Sequence, residues 1–236
     1  MKMRLDRALR DACPGRSRSD AEKLIRGGRV SVNGRVLRDP AEKIDPEADL
    51  LSVDGKPEIS RRVRVYLMNK PAGVLSATED RDCRTVLDLL PPELRPLGLS
   101  PAGRLDKDAE GLLLLTNDGE LIHRIISPKS QVYKRYLVRL RDPAEPERYD
   151  AAFVAGVTID GGYTCLPAHF AAGERPDEGI VTVCEGKFHQ VKRMLAAVGN
   201  EVIALKRLSI GGLALDPELP PGGYREVEDV SAVFER

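Results

Sequence analysis

Four consecutive leucines, Leu112–Leu115, constrain the fold of this chain more than any other feature. A short apolar run bounded by turn-forming residues is typical of a buried strand, so the segment GLLLLT predicts one. The turn ahead of it is strongly polar. It carries five charged residues, namely Arg104, Asp106, Lys107, Asp108 and Glu110. The sequence thus places a group of charges at the entrance to its most apolar strand.

The length of 236 residues is comfortable for two domains, and a hydrophobic content of 42% is enough for a real core. No apolar run approaches the roughly 18 residues of a membrane helix. The N-terminal segment MKMRLDRALRDAC is charged and lacks the apolar stretch of a signal peptide. We therefore expect a cytosolic protein with no membrane partner.

The potential metal ligands are scattered along the chain. Cysteine occurs at positions 13, 83, 165 and 184, and histidine at positions 123, 169 and 189, with no spacing typical of zinc sites. We expect reduced cysteines, most of them packed, and no metal site.

The first 38 residues form a basic segment with a net charge of +7. RLDRALRDA has apolar residues at helical spacing, and SRSDAEKLIRGG predicts a second helix, capped by Ser19 with Glu22 and ended by Gly27-Gly28. RVSVNGRVL predicts a hairpin around Asn33-Gly34, and ADLLSVDG adds a strand. These elements predict a compact domain over residues 1–58 that binds a polyanion, although a solvated basic surface would show the same charge pattern.

Residues 59–236 alternate strands with loops and a few helices. The segments VYLMNKPAG, GLLLLT, KRYLVRL, IVTVCEG and YREVE predict strands, whereas RTVLDLLPPEL, GELIHRIIS and FHQVKRMLAAVG predict helices. We expect an α+β fold, in which the second domain is built on a mixed, mostly antiparallel β-sheet flanked by helices and loops.

Asp106 is the candidate for chemistry in the charged turn. A carboxylate that is poorly hydrated, yet kept ionised by a cation within about 4–6 Å, is a suitable nucleophile. Arg104 and Lys107 are cations nearby in sequence, and Lys192 and Arg193 are distant candidates. From the residues alone, an aspartate that caps a turn explains the pattern equally well.

The ordered motifs resemble those of RNA pseudouridine synthases. GRLDKDAEGLLLLTNDG is similar to the G-R-L-D segment and its following strand, and the other matching blocks are YLMNKPAG, KRYLV, EGKFHQVKRMLAAVGNEV and LKRLSIGGLAL with PGGYREV. The basic N-terminal segment resembles the small RNA-binding domain shared with ribosomal protein S-four. Together, the motif blocks and the N-terminal domain extend the resemblance over nearly the whole chain. The branch that the chain resembles most is that of the small-subunit ribosomal RNA synthases.

The resemblance implies an enzyme without a cofactor or metal, and it implies roles for individual residues. Asp106 matches the nucleophile, Tyr136 the tyrosine that packs on the base, and Lys192 the cation that pairs with the aspartate. Arg104 matches the residue beside the flipped-out nucleotide. One departure is Ala109, where the family often has a threonine whose hydroxyl could brace the loop.

The expected partner is ribosomal RNA or an assembling small ribosomal subunit, and we expect the protein to act as a monomer. Lys70 is interpreted as shaping a turn, with a weak phosphate contact. His189 receives no catalytic role. The expected RNA contacts are Arg4, Arg16, Arg18, Lys23, Arg26 and Arg29 in the first domain and Lys206 and Arg207 near the C-terminus.

Two other functions compete with this interpretation. A catalytically silent RNA-binding or ribosome-assembly factor would share the basic domain but would not need Asp106. A glycosidase would pair Asp106 with Asp108 or Glu110, but the chain has no tryptophan and only 4% aromatic residues with which to stack on a sugar.

Overall fold

The computed structural model describes residues 2–13, 16–46, 49–58 and 63–235. The chain divides into two compact units, residues 1–63 and 64–236. The boundary predicted after residue 58 adjoins residues 59–62, which lie outside the described residues, so its position stays a prediction. Over the described part of the chain, no helix has the length and apolar character needed to cross a membrane.

The N-terminal unit packs two helices against short strands. Its elements are β1 Met3–Arg4, α1 Leu5–Ala12, α2 Arg18–Arg26, β2 Val30–Val32, β3 Arg35–Val36, β4 Lys43–Ile44, β5 Leu51–Val53 and β6 Lys56–Glu58. The strands form an antiparallel sheet in the order β3-β2-β5-β6 and a separate pair, β1-β4. The apolar faces of both helices and of β2 and β5 share one core.

The local signals in this unit are correct with one exception. Asn33 and Gly34 both have positive φ angles, 51° and 81°, as a two-residue hairpin of the predicted kind requires. The predicted cap of α2 at Ser19 is wrong, because the helix begins two residues earlier. Ser17 is the N-cap, and its hydroxyl accepts a hydrogen bond from the backbone N–H of Asp20 at 3.2 Å.

The second unit carries the large sheet. Its elements are β7 Val65–Lys70, β8 Ser100–Pro101, β9 Glu110–Thr116, α3 Gly119–Ile126, β10 Lys134–Leu140, α4 Pro146–Ala155, β11 Thr158–Ile159, β12 Tyr163–Thr164, β13 His169–Ala172, β14 Glu178–Val183, α5 Gln190–Ala197, β15 Val202–Ile210, β16 Leu213–Ala214 and β17 Tyr224–Glu226. Four short 3-10 helices complete it, namely Val86–Leu89, Pro92–Leu97, Pro128–Ser130 and Ser231–Phe234. The short helix predicted in RTVLDLLPPEL, cut by Pro91-Pro92, is present as the 3-10 helix Val86–Leu89, which ends before Pro91. A second 3-10 helix begins at Pro92.

The sheet runs in the order β13-β14-β10-β15-β9-β7-β17, with β16 beside β15 and β8 beside β9. Its pairings are antiparallel except for β15 with β9, which confirms the predicted mixed, mostly antiparallel sheet. Leu113 and Leu115 pack into the core on one face, and Leu112 and Leu114 into the core on the other. The leucine run is therefore a central strand with apolar layers on both sides.

Gly111 permits the close parallel contact between β9 and β15. Its φ angle is 103°, and a Cβ atom there would lie 2.7 Å from the backbone nitrogen of Arg207. Any larger residue would both strain the backbone and push the strands apart. The glycine ahead of the leucines thus sets where the charged loop meets β15.

Candidate active site

A buried lysine holds the loop that carries Asp106 by hydrogen bonds to the backbone of the loop. Lys70 lies at the end of β7 and is fully buried, and its Nζ donates to the backbone carbonyls of Pro71 at 3.0 Å, Asp106 at 3.0 Å, Lys107 at 3.3 Å and Ala109 at 2.7 Å. The phosphate contact suggested for Lys70 is therefore wrong, because its ammonium group is used inside the protein. Burial lowers the pKa of Lys70 to about 8, against the opposing effect of Asp108, Asp106 and Glu110.

The residue before Asp106 is fixed as well. The hydroxyl of Ser76 accepts a hydrogen bond from the N–H of Leu105 at 3.0 Å and donates one to its carbonyl at 2.9 Å. The N–H of Gly73 donates to the carbonyl of Lys107 at 2.7 Å. The loop is thus braced on both sides of Asp106, although Ala109 supplies no hydroxyl for the purpose.

Helix α5 brings two more groups to the carboxylate. Lys192 Nζ lies 3.6 Å from Asp106 Oδ2, and His189 Nε2 lies 3.5 Å from Asp106 Oδ1. The side chain of Asp106 is 24% exposed, so its charge is partly withdrawn from water. The sequence analysis found Lys192 but missed the place of His189, which has a φ angle of 49° immediately before α5.

Lys192 serves two carboxylates at once. Its Nζ lies 2.8 Å from both Oδ atoms of Asp108, closer than it lies to Asp106. The hydrogen bond from Lys192 holds the pKa of Asp108 below its usual range. Lys192 therefore forms the ion pair with Asp106 that the resemblance implies and, at the same time, a closer one with Asp108.

The start of α5 is anchored by a buried acid. Glu185 is 2% exposed, and its carboxylate accepts hydrogen bonds from the Tyr163 hydroxyl at 2.7 Å, the Leu166 N–H at 2.8 Å and Gln190 Nε2 at 2.8 Å. Because Gln190 is the first residue of α5, this network fixes the helix that carries Lys192.

Asp106 and Tyr136 line the same cavity, which has a volume of about 350 Å³. This volume is within the range of small-molecule sites. Its walls come from the Asp106 loop, the end of α3, the segment from Glu185 into α5, and the inward faces of β10 and β15. The Tyr136 ring is 8% exposed and forms part of the β10 wall. The same partly apolar pocket is therefore lined by a carboxylate and an aromatic ring.

Arg207 lies beside Tyr136 in the wall of the cavity and not on the outer surface. Tyr136 and Arg207 are partners across β10 and β15, next to a register shift that leaves Leu208 unpaired. Arg207 is 3% exposed; its Nε donates to the Leu112 carbonyl at 2.7 Å and its Nη1 to the Tyr136 hydroxyl at 3.4 Å. Any contact of Arg207 with RNA must therefore be made inside the cavity.

The other predicted RNA contacts in this unit have different positions. Arg104 is exposed on the Asp106 loop and lines the cavity. Lys206 is half-buried and lies with Lys192, Asp108 and Glu110 along a different cavity. The structure thus brings together Arg104, Asp106, Tyr136 and Arg207 and leaves Lys206 outside that group.

In the N-terminal unit, three of the arginines predicted to contact RNA form ion pairs with aspartates. Asp6 is 4% exposed and binds Arg4 at 2.9 Å and Arg18 at 3.5 Å, so one carboxylate joins the starts of α1 and α2. Arg29 pairs with Asp54. Of the other predicted contacts, Arg16 precedes α2 and is half-buried, and Lys23 and Arg26 are exposed on α2. Within the described residues, no group of three or more His, Cys, Asp and Glu side chains is placed to hold a metal ion.

The chain is similar to known proteins in sequence and in fold. Residues 64–197 match the family model described as RNA pseudouridylate synthase, and residues 3–50 match the S4 domain. A Bacillus subtilis (strain 168) protein named uncharacterized RNA pseudouridine synthase YtzG is 47% identical over 96% of this chain and 95% of its own length. The ribosomal small subunit pseudouridine synthase A of Escherichia coli (strain K12) is 40% identical over 98% of this chain and 100% of its own length.

A solved structure described as a pseudouridylate synthase has a TM-score of 0.66 and 36% sequence identity, and the match covers 95% of this chain and 96% of that one. The family resemblance and the S-four-like N-terminal domain that the motifs indicated are confirmed. The chain belongs to the RNA pseudouridine synthase family and carries an N-terminal S4 domain.

Proposed function

We propose that this enzyme converts one uridine of small-subunit ribosomal RNA to pseudouridine, with Asp106 as the nucleophile and the target base flipped into the cavity. The observation that carries the proposal is the position of Asp106. It lies on a braced loop at a cavity that also contains Tyr136, with Lys192 and His189 within 3.6 Å of its carboxylate oxygens. The choice of RNA rests on the full-length relative that is named a ribosomal small subunit pseudouridine synthase.

The reaction is an isomerisation that needs no redox partner or energy source. The bond between ribose C1′ and uracil N1 breaks, a bond between C1′ and C5 forms, C5 loses its proton and N1 gains one. Asp106 attacks either C1′ or the uracil ring, and it is released when the new bond forms. Lys192 and His189 lie within 3.6 Å of the carboxylate oxygens and hold the carboxylate in place for attack.

Entry of the base requires flipping, which costs a few kcal/mol in lost stacking. Arg104 lies on the nucleophile loop and is exposed, so it is suited to contact phosphate or to occupy the space that the base leaves. The Tyr136 ring offers a stacking surface inside the pocket, worth about 1–3 kcal/mol per base. The cavity holds the detached uracil beside the ribose so that it recombines with C1′.

The N-terminal unit supplies contacts with the RNA backbone. Its exposed basic side chains on α2 and around α1 are the source of salt-dependent affinity, because phosphate neutralisation releases counterions. The partner is ribosomal RNA or the assembling small subunit. A monomeric state and residence in the cytosol stay predictions.

The two competing functions are less well supported. Asp108 is 73% exposed, and both it and Glu110 line a different cavity from the one that contains Asp106, which does not suit the paired acids of a glycosidase. A silent assembly factor would have no need for a carboxylate braced by Lys70 and Ser76 and flanked by Lys192.

The decisive experiment compares the wild type with Asp106→Asn. We expect tritium release from RNA with 5-tritiated uridine in the wild type only, while the variant keeps its fold and RNA affinity. Carbodiimide mapping of ribosomal RNA from a strain that lacks the gene locates the modified position. Restoration of that pseudouridine by Asp106→Asn would refute the nucleophile assignment, and an unchanged small-subunit map would refute the choice of RNA.

A further inference from the structure

Arg207 lines the cavity, and its guanidinium has one buried hydrogen-bond donor without a partner. Its Nε and Nη1 donate to the Leu112 carbonyl and the Tyr136 hydroxyl, but its Nη2 is buried without a hydrogen-bond partner. Buried donors are normally satisfied, since an unpaired one costs about 1–3 kcal/mol. An unpaired charged donor on a residue that lines the cavity is a candidate contact for a ligand.

The position of Arg207 is held by the fold and does not depend on a ligand. The bond from Nε to Leu112 ties the guanidinium to the central leucine strand, and Gly111 lets that strand approach the Arg207 backbone. The carbon atom of the guanidinium lies 5.9 Å from the centre of the Tyr136 ring. Because the guanidinium borders the ring on which we expect the base to stack, we expect the edge of that base to be the polar group nearest to Nη2.

We propose that Nη2 of Arg207 donates a hydrogen bond to a carbonyl oxygen of the flipped uracil and stabilises the negative charge that develops on the base. This inference rests on the proposed function, because it takes uridine as the substrate. If Asp106 attacks C1′, the electrons of the broken bond pass to N1 and spread onto the carbonyl oxygens. If it attacks ring carbon C6, the electrons pass through C5 to O4. Both routes place negative charge on an oxygen that a guanidinium can bind.

Lys134 adds a second cation to the same wall. It is two residues before Tyr136 on β10, is 7% exposed and lines the cavity, with Nζ donating to the Ile125 carbonyl at 3.0 Å. It lies on the same side of β10 as Tyr136, so Lys134 and Arg207 place two cations in a cavity whose carboxylates are Asp106 and Glu185. Arg207 and Lys134 thus favour a base that becomes anionic, which uracil does and an aliphatic or cationic ligand does not.

The test combines an enzyme change with a substrate change. The mapped target uridine, in a small-subunit RNA fragment, is replaced by 2-thiouridine or by 4-thiouridine, because sulfur is a weak acceptor. For wild-type enzyme, we expect kcat/KM to fall about tenfold to a hundredfold with the thio group at the contacted position, the range for a charge-assisted hydrogen bond. Arg207→Met should lose a similar factor on normal uridine and little more on the thio substrate.

Wild-type activity on normal uridine establishes the proposed function independently of this result. Equal losses from the thio group in wild type and Arg207→Met would overturn the inference and leave the proposed function standing. If Arg207→Met does not fold, the wild type still decides, since no loss at either thio position also overturns it. Arg139→Gln, an exposed arginine on the same strand as Tyr136, is the control and should leave both rates unchanged.

Discussion

The Nζ atom of Lys70 donates a 3.0 Å hydrogen bond to the backbone carbonyl of Asp106. The same ammonium group binds the carbonyls of Lys107 and Ala109, so one buried cation fixes the turn on which the nucleophile stands. This arrangement explains how a turn rich in charged residues is held at the entrance to the leucine strand. The strand provides a rigid apolar base, and Lys70 holds a polar loop against its end.

Replacing Lys70 by methionine should therefore damage catalysis more than RNA binding. The carbonyls of the loop lose their donor, so we expect the free energy of unfolding to fall by about 1–3 kcal/mol. Because the position of Asp106 loosens, kcat should fall tenfold or more, in line with the sensitivity of rates to small misplacements. Single-turnover formation of pseudouridine and filter binding of the RNA measure the two effects.

Lys129→Met is the matched control, since Lys129 is an exposed lysine in the same unit. It should change neither the rate nor the stability. A Lys70→Met enzyme that folds and reacts at the wild-type rate would show that the loop keeps its shape without this cation.

The bridge from Lys192 to Asp106 and Asp108 makes a second prediction. Lys192→Met removes the cation beside the nucleophile, and we expect kcat/KM to fall more than tenfold. Asp108→Asn leaves Lys192 free to pair with Asp106 alone, so its effect should be less than threefold. The double variant should resemble Lys192→Met, and steady-state kinetics on one RNA substrate measures all three. A severe loss in Asp108→Asn would mean that Asp108 acts directly.

Local patterns were sufficient to predict much of the fold. The run Leu112–Leu115, the alternation in KRYLVRL and the Asn33-Gly34 turn each reflect a rule that acts within a few residues. The cap of α2 was misplaced because Ser17 and Ser19 both offer a hydroxyl, each with an acidic residue three positions later, and the local sequence does not decide between them.

The active site was only partly predictable, for a different reason. Asp106, Tyr136 and Lys192 lie in motifs, but the use of Lys70 as an internal donor depends on carbonyls 36 to 39 residues away in the chain. Likewise, nothing local in LKRLSIGG shows that a register shift sets Arg207 opposite Tyr136. Burial and pairing across the sheet decide these roles.

Lys134 predicts opposite effects of pH on activity and on stability. Burial, followed by the nearby Arg207 guanidinium, lowers the pKa of Lys134 to about 8, while the Cys184 thiol acts in the other direction. As pH rises through about 8, the folded protein loses this proton while the unfolded chain keeps it up to about 10.4. The unfolded state then binds more protons, so this group makes the free energy of unfolding rise between about pH 8 and 10.

Activity should fall over the same range because the pocket loses a cation. Lys70 titrates near the same pH, so the Lys134→Met variant is needed for the assignment. We expect kcat/KM of the wild type to exceed that of Lys134→Met at pH 7 and to approach it above pH 9. A ratio that is independent of pH would contradict a role for the charge of Lys134.

The basic residues of α2 predict the salt dependence of RNA binding. Lys23 and Arg26 are exposed on this helix, and if each neutralises one phosphate, the double variant Lys23→Gln, Arg26→Gln should reduce the slope of log K against log salt by about 1.4. Arg148→Gln with Arg175→Gln removes the same charge from exposed sites in the second unit and serves as control. Equal slopes for the two double variants would show that α2 does not contact RNA.

Phe188 predicts a contact at the rim of the active-site cavity. Its side chain is 67% exposed, unusual for a large apolar residue, and its ring stacks on that of His189 with centroids 3.8 Å apart. His189 in turn lies 3.5 Å from Asp106, so the pair forms a flat surface beside the nucleophile.

We expect this surface to stack on an RNA base next to the flipped uridine, and Phe188→Ala to weaken RNA binding about fivefold to a hundredfold, as loss of 1–3 kcal/mol of stacking implies. Phe188→Trp should bind as well as the wild type, and neither change should lower the melting temperature of the free protein. Fluorescence anisotropy with a labelled RNA measures the affinities. Val154→Ala is the control, because Val154 is another exposed apolar residue. Equal affinities for Phe188→Ala and the wild type would show that the exposed ring serves some purpose other than stacking on RNA.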